Sequence, residues 1–332
     1  MFSKFGYILI GCALLLLGGS FFLKESPEQK SLSLGSGGLV STNEVQKEVL
    51  PSDEKKNPIV ILFGGDMMFD RYIRTVMRKH GDFFPLESLR GILSQADMVV
   101  ANLEGPVTEN VSLSETSVIG ARENYFFTFD PVVATVLRDF HIRVVNIGNN
   151  HILNFKEEGV EETKKFLKEE GIGYFGSPLP SDDRFLIKEI QGVKVALVNY
   201  NQFVWQGKEK AFHDIEIAKT LAEVVILYAH WGTEYVAVLP KTKVLAHEFV
   251  DAGVDLIIGS HPHVVQEKEV YQGKTIYYSL GNMVFDQYFS QDTITGLLVQ
   301  ASLDPALRTF TFEEIPILLK NTGETVLAQQ GE

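Results

Sequence analysis

Five short polar clusters, each directly after an apolar stretch, carry the residue types of a divalent-metal centre. The last of them is Gly259-Ser260-His261-Pro262-His263-Val264-Val265-Gln266, which follows Asp255-Leu256-Ile257-Ile258. Pro262 steers His261 away from the helical region and toward an extended backbone, where residues two apart project to the same side. Both imidazoles are therefore expected to face one site. The other clusters are Gly64-Gly65-Asp66-Met67-Met68-Phe69-Asp70-Arg71, Asn102-Leu103-Glu104-Gly105-Pro106, Gly148-Asn149-Asn150-His151 and His230-Trp231-Gly232-Thr233-Glu234-Tyr235.

Asp66, Glu104, Asn150, His230, His261 and His263 offer carboxylate, amide and imidazole donors, a set that suits Mn, Fe, Zn, Mg or Ca. Six donors exceed the need of one tetrahedral ion and point to two divalent ions. At a separation of about 3.5–4 Å such ions hold a hydroxide and clamp a phosphoryl group. His151, beside Asn150, is placed to protonate a leaving group, and Arg71 to hold an anionic substrate group through its planar fork. Other roles stay open at this point: a helix cap for Asp66, an arginine partner for Glu104, and a salt bridge with Asp70 or Glu104 for Arg71. His80, His141, His213 and His247 lack such neighbours and read as surface or partner-bonded histidines. Asn102 and Asn149 read as residues that hold loop backbone.

The elements that must position these clusters alternate between strand and helix. Strands are expected at Ile59 to Phe63, Met98 to Ala101, Val144 to Ile147, Val224 to Tyr228 and Leu256 to Ile258. Helices are expected at Arg71 to His80, Leu86 to Gln95, Val132 to Phe140, Glu157 to Glu170 and Thr242 to Ala252. Phe185 to Glu189 and Val193 to Asn199 form a hairpin around Gln191-Gly192, and the end of the chain is mostly β, near Thr275 to Ser279, Gly296 to Ser302 and Thr309 to Pro316. This is the pattern of a layered α/β domain. In an open α/β sheet, ligands sit at the carboxyl ends of strands, so clusters at five such ends converge on one place.

Bulk properties narrow the function classes. A formal net charge of −13 excludes a general nucleic-acid binder, because phosphate backbones are held by clustered Lys and Arg. The single cysteine, Cys12, excludes an intrachain disulfide and a thiolate metal site. Phe5 to Leu23 is an apolar run between Lys4 and Lys24, about 28 Å long as a helix and so able to span a bilayer. An uncleaved single-pass membrane anchor at 1–24 is the expectation, with Lys4 placing the rest of the chain outside the cytoplasm. Gly18-Gly19-Ser20 leaves a cleaved signal peptide open, and Leu9-Ile10-Gly11-Cys12 a lipoprotein cleavage box. A flexible linker is expected at 25–57, one domain at 58–318 and a C-terminal tail at 319–332.

The order GDMMFDR (65–71), NLEGP (102–106), NNH (149–151), HWGTEY (230–235), GSHPHVVQ (259–266) and YSLGNMVFDQ (278–287) resembles the CapA family of bacterial capsule and poly-γ-glutamate synthesis proteins. That family is similar in fold to calcineurin-like metallophosphoesterases. The resemblance covers about residues 58–318 and implies a layered β-sandwich flanked by helices. It implies Asp66 and His263 on one metal, Asn150, His230 and His261 on the other, Glu104 in the bridging place and His151 as the acid. Met68 stands where the phosphoesterases have a ligand histidine, and Glu104 is one methylene longer than their aspartate; both fit the CapA pattern. Asn154 departs from the family, which usually has an aspartate there. Asn282 is expected to line the site and Asp286 to orient a histidine. The implied function is capsule or poly-γ-glutamate biosynthesis at the bacterial cell membrane, on an anionic polymer or a phosphate-containing envelope substrate, with other membrane-bound capsule synthesis proteins as partners. A phosphoesterase acting on an envelope phosphate ester and a non-catalytic polymer-binding assembly factor are the alternatives.

Overall fold

Ile59, Ile61 and Phe63 alternate with Leu62 along the first strand, yet the two sets are buried in different cores, so this strand lies inside a stack of layers. The computed structural model describes residues 57–180 and 184–328. The expected anchor at 1–24 and the linker, up to its last residue, lie outside them. Among the described residues no helix is long and apolar enough to cross a membrane.

In chain order the elements are β1 (Ile59–Met67), α1 (Arg71–His80), a 3₁₀ turn (Phe84–Leu89) leading into α2 (Arg90–Leu93), β2 (Met98–Leu103), α3 (Val132–Asp139), β3 (Val144–Asn146), α4 (Lys156–Glu169) and β4 (Gly173–Phe175). There follow β5 (Phe185–Ile190), β6 (Val193–Asn201), α5 (Gly207–Leu221), β7 (Val224–His230), α6 (Pro240–Asp251), β8 (Leu256–Ser260), β9 (Lys268–Tyr271), β10 (Lys274–Tyr277), β11 (Asn282–Val284), α7 (Gln291–Ile294), β12 (Thr295–Leu303), β13 (Phe310–Leu319) and β14 (Thr325–Leu327). One sheet has the order β14-β13-β12-β1-β2-β3-β4, with β11 also paired to β1; the other runs β5-β6-β7-β8-β10-β9. Their inner faces meet in a core made almost wholly of strand residues, among them Phe63, Val100, Val195 and Ile226. Helices α1, α3 and α4 cover the outer face of the first sheet through Ile73, Leu137 and Val160. Ile215 of α5 and Phe249 of α6 cover the second. The expected helix-flanked sandwich is therefore what forms.

Some local expectations change. The stretch expected as one helix from Leu86 to Gln95 is a 3₁₀ turn with Pro85 near its start, followed by a single α turn. Residues 319–332, expected as a tail, contribute β14, which pairs with β13 and buries Thr325, so the sheet runs past residue 318. The β5–β6 hairpin turns where expected, with Gln191 at φ 51° and Gly192 at φ 81°, the geometry of a two-residue primed turn.

Two local devices set the strand ends. At Gly64-Gly65, β1 leaves its antiparallel partner β12 and joins β11 in parallel, pairing Asp66 with Asn282. A Cβ on Gly65 would fall 1.9 Å from the carbonyl oxygen of Gly281; the bare glycine lets that carbonyl accept the Asp66 N–H at 3.0 Å. The second device is Asp70, buried at the start of α1. Its carboxylate accepts hydrogen bonds from the Arg71 N–H at 2.9 Å, Arg74 Nε at 2.8 Å, the Ser112 and Ser114 hydroxyls at 2.7 Å each and the Thr128 N–H at 2.9 Å. Arg74, also buried, reaches Asp130 and the Thr128 carbonyl. The long connection between β2 and α3 is thus fastened to α1 chiefly through the Asp70 carboxylate and Arg74. Removing the carboxylate leaves the buried Ser112 and Ser114 hydroxyls and the Thr128 N–H without that acceptor and Arg74 with Asp130 as its only carboxylate partner, so Asp70→Ala is expected to cost about 3–5 kcal/mol of stability, read by denaturant unfolding; a loss below about 1 kcal/mol would contradict this assignment.

Candidate metal centre

The carboxyl ends of β1, β2, β3, β7 and β8 bring the predicted donors to one buried place. Asp66, Glu104, His230, His261 and His263 are each at most 4% exposed, too little for water to solvate the charges they bear. Ligand atoms of Glu104, His261 and His263 lie within 4.8 Å of one another, and so do those of Asp66, Glu104 and His230. Glu104 belongs to both groups. They divide the donors differently from the resemblance, although the Asp66–His263 contact it implies is present, at 3.3 Å from Oδ2 to Nδ1. Asn150 joins the cluster with Oδ1 2.9 Å from His230 Nε2.

The His-Pro-His segment reaches the site by a route other than the extended one expected. His261 has φ 94° and His263 φ 59°, an uncommon and strained region for a non-glycine residue. The turn is held because Asp66 Oδ2 accepts the His261 N–H at 3.0 Å and Asn282 Oδ1 lies 3.0 Å from His263 Nδ1. Both rings still face the cluster.

Burial pushes the Glu104 carboxyl well above the usual carboxylate range, and the charges of Asp66 and Glu234 push it the same way, against Arg71. Burial alone would raise Asp66 too. Its hydrogen bond and charge interaction with His263, then His230 and Asn102, outweigh that and hold it below its ordinary value. Without cations, one carboxylate of the pair is charged and the other keeps its proton. Burial lowers His230 well below the histidine range, with the His261 charge adding to it. It holds His261 down to about 4, reinforced by His263 and opposed by Asp66.

Two buried atoms in this cluster, Glu104 Oε1 and His261 Nδ1, have no hydrogen-bond partner. An unsatisfied buried polar atom costs about 1–3 kcal/mol, and both are donors of the kind divalent ions take. The residues present therefore fit a divalent-metal group, with Asp66, Glu104, Asn150, His230, His261 and His263 as those that would hold it. Met68 is not turned to the cluster: its Sδ sits 3.0 Å from the Asp70 nitrogen.

His151 lies at the rim. Asn154 Oδ1 accepts the Phe127 N–H at 3.0 Å and lies 3.1 Å from His151 Nδ1, so the amide that replaces the usual aspartate still orients this ring. Phe127 packs on it at 4.3 Å, and Nε2 points to Glu104 Oε1 at 3.9 Å. Burial holds His151 down to about 4, against the Asn154 hydrogen bond and helped by the charges of His263, His261 and Arg71. Arg71 pairs with Asp286, neither Asp70 nor Glu104, and its guanidinium lies 5.0 Å from the Phe127 ring and 5.5 Å from Phe285. Phe285 in turn packs against His263 at 4.8 Å. Asn282 lies at the site as expected and also orients His263, whereas Asp286, expected to orient a histidine, anchors Arg71 instead.

Sequence reasoning missed the amides that connect these groups. Asn199 Nδ2 donates to Asn146 Oδ1 at 2.9 Å, Asn146 Nδ2 to Asn102 Oδ1 at 2.9 Å, and Asn102 Nδ2 to Asp66 Oδ1 at 2.8 Å. Asn102 Nδ2 is also 3.3 Å from His230 Nδ1. Asn149, by contrast, holds loop backbone as expected: its Oδ1 accepts the His151 and Ile152 N–H groups. The available signal was polar residues inside apolar strands, Asn146 in β3 and Asn199 in β6, where a buried amide must find partners.

Residues 60–287 match the family model described as bacterial capsule synthesis protein PGA_cap. The chain is 30% identical over 273 residues to the PGA biosynthesis protein CapA of Bacillus subtilis (strain 168), covering 77% of this chain and 70% of that protein. It is 28% identical over 289 residues to the capsule biosynthesis protein CapA of Bacillus anthracis, covering 80% and 69% respectively. Among solved structures, a hypothetical protein from Thermus thermophilus superposes with a TM-score of 0.50 at 16% identity, over 78% of this chain and 98% of that one. This last likeness concerns the fold alone.

The depressed histidines make metal-free stability depend on pH. Below the ordinary histidine value, about 6.5, the unfolded chain takes up protons that folded His151 and His261 refuse until about 4. The stability they contribute is thus complete above that ordinary value and lost as pH falls toward 4. Glu104, raised in the folded state, acts in the opposite direction over this range, so the histidine contribution is read as a difference between proteins: denaturant unfolding of metal-stripped protein at about pH 5 and pH 7.5 is expected to show His151→Gln losing less stability, or gaining more, on acidification than the unaltered chain.

Proposed function

We propose, from the premise that this chain belongs to the bacterial capsule synthesis protein PGA_cap family, that it serves capsule or poly-γ-glutamate synthesis through a metal-dependent hydrolase-type centre. The observation that carries the centre is the pair of unpartnered atoms, Glu104 Oε1 and His261 Nδ1, inside a buried cluster of carboxylates and imidazoles. When bound, divalent ions polarise a scissile carbonyl or phosphoryl oxygen.

The chain's own residues do the rest. Asn154, fixed by the Phe127 N–H, directs the Nδ1 proton of His151 to its oxygen and leaves Nε2 facing the centre, the atom that exchanges a proton with the reacting group. Asn282 Oδ1 and Ser260 Oγ, each 3.0 Å away, accept the Nδ1 protons of His263 and His230 and so leave Nε2 of each ring free for the centre. Arg71, paired with Asp286, lies over Phe127 and Phe285, which pack on His151 and His263, and with Asp286 it lines an open cavity of about 330 Å³ on that side. The apolar run Phe5 to Leu23 supports placement of the domain outside the cytoplasm on a membrane anchor, next to other membrane-bound capsule synthesis proteins.

Two measurements test this reading. The full chain, purified in detergent without chelator, is expected to carry divalent metal, about two ions per chain, and His261→Ala to lose most of it. Cells producing only His151→Ala are expected to make polymer at a rate lower by about 10²-fold or more while the variant keeps its metal. Polymer at the unaltered rate would remove the catalytic reading and leave an assembly factor.

A further inference from the structure

The open cavity of about 330 Å³ beside Arg71 and Asp286 contains none of the metal donors, yet two of its lining residues also wall the centre. Arg71 lies over Phe127 and Phe285, and the Tyr235 ring lies 6.0 Å from His263, tilted from it by 29°. Four aromatic side chains line the cavity, Tyr72, Tyr125, Tyr235 and Phe289, and every one of them is exposed. Phe289 is 66% exposed and Ile119, in the same lining, 91%. Apolar surface left open to water beside a buried polar centre is the pattern of a ligand groove.

The rings are held in place before any ligand arrives. Gln287 Nε2 donates to the Tyr235 hydroxyl oxygen at 2.9 Å, the Tyr235 N–H donates to the Pro262 carbonyl at 2.9 Å, and Phe289 meets the Tyr235 ring edge-on at 5.2 Å. Tyr72 stands edge-on to Tyr288 at 6.1 Å. Rings fixed in this way lose little freedom on binding.

The charges of the lining are already matched. Arg71, its one cation among the described residues, pairs with Asp286, and Glu115 pairs with Arg78. A carboxylate or phosphate would find no unpaired cation here and would meet Asp286 and Glu115 instead. The polar capacity left over is neutral: the hydroxyls of the exposed Tyr72 and Tyr125 bond to no described residue. An acyl chain would cover those hydroxyls with nothing to bond. A sugar ring suits both parts of the lining, since it lays a face of C–H groups on an aromatic ring and offers hydroxyls at its edge.

We propose that this cavity binds an uncharged sugar unit of a glycan, with the rings of Tyr125, Tyr235 and Phe289 as its platforms and the Tyr72 and Tyr125 hydroxyls as partners for its edge. The lining alone carries the sugar; that the same glycan is what the centre acts on rests on the function proposed above.

Titration calorimetry of the full chain, in a detergent without sugar head groups, decides it, with an N-acetylglucosamine tetramer, a glucose tetramer and a γ-linked glutamate tetramer as probes. Saturable binding of a neutral oligosaccharide is expected. Phe289→Ala and Tyr125→Ala, both at exposed positions, are each expected to weaken it about three- to tenfold with the unfolding midpoint unchanged. Tyr125→Phe, which keeps the ring, is expected to lose less than Tyr125→Ala. A chelator is expected to leave the binding as it was, and metal content measured on the same preparation reports on the centre separately. Absence of saturation by both oligosaccharides, insensitivity to both alanine variants, loss of binding with the chelator, or tighter binding of the glutamate tetramer than of either sugar would each overturn the assignment.

Discussion

Two carboxylates, Asp66 and Glu104, share a site from which water is excluded, and most of the architecture around them answers that constraint. Charges so close and so buried repel unless cations or protons intervene. Among the described residues no lysine or arginine pairs with either carboxylate: Arg71, whose charge reaches Glu104, is taken by Asp286. What the chain supplies is neutral imidazole and amide, groups that tolerate burial and hold metal. The rest of the fold keeps these groups in place: parallel strands that end together, a glycine pair that lets β11 close on β1, and an Asp70 anchor that fixes the adjoining loop.

Much of this was legible in the sequence because strands buried on both faces and polar strand ends are both composition signals. Ile59 to Phe63, Val224 to Tyr228 and Leu256 to Ile258 are apolar runs with few alternatives, and the residues after them do converge. Helix α5 has no comparable signal, since Lys, Glu and His interrupt its apolar face, and β14 is only three residues long. The backbone of His261 and His263 was misjudged because the proline rule describes a local preference, whereas the positive φ values are imposed by Asp66 and Asn282, far away in the chain. Arg71 found a partner 215 residues distant, which no local pattern announces.

Met68 and Asn154 show how a departure from a related pattern is absorbed. A thioether cannot serve a hard ion well, and here it turns inward to the Asp70 nitrogen, so the position supports the scaffold. Asn154 keeps the geometry of a carboxylate without its charge. Burial keeps the His151 ring neutral, and the Asn154 hydrogen bond opposes that without a charge of its own. Orientation is retained by an uncharged group.

The row of amides from Asn199 through Asn146 and Asn102 to Asp66 has a sense of direction. Every member offers its nitrogen toward the carboxylate and its oxygen away from it. No single amide can rotate without setting oxygen against oxygen on one side and nitrogen against nitrogen on the other. The row is consequently all-or-none, locked in one orientation by the charge at its inner end and readable at its outer end, where Asn199 borders a solvent-facing cavity. The fold thus has a polarised thread between a surface opening, lined by Asn199, and a fully buried carboxylate, along which a disturbance at either end is felt as the orientation of the whole.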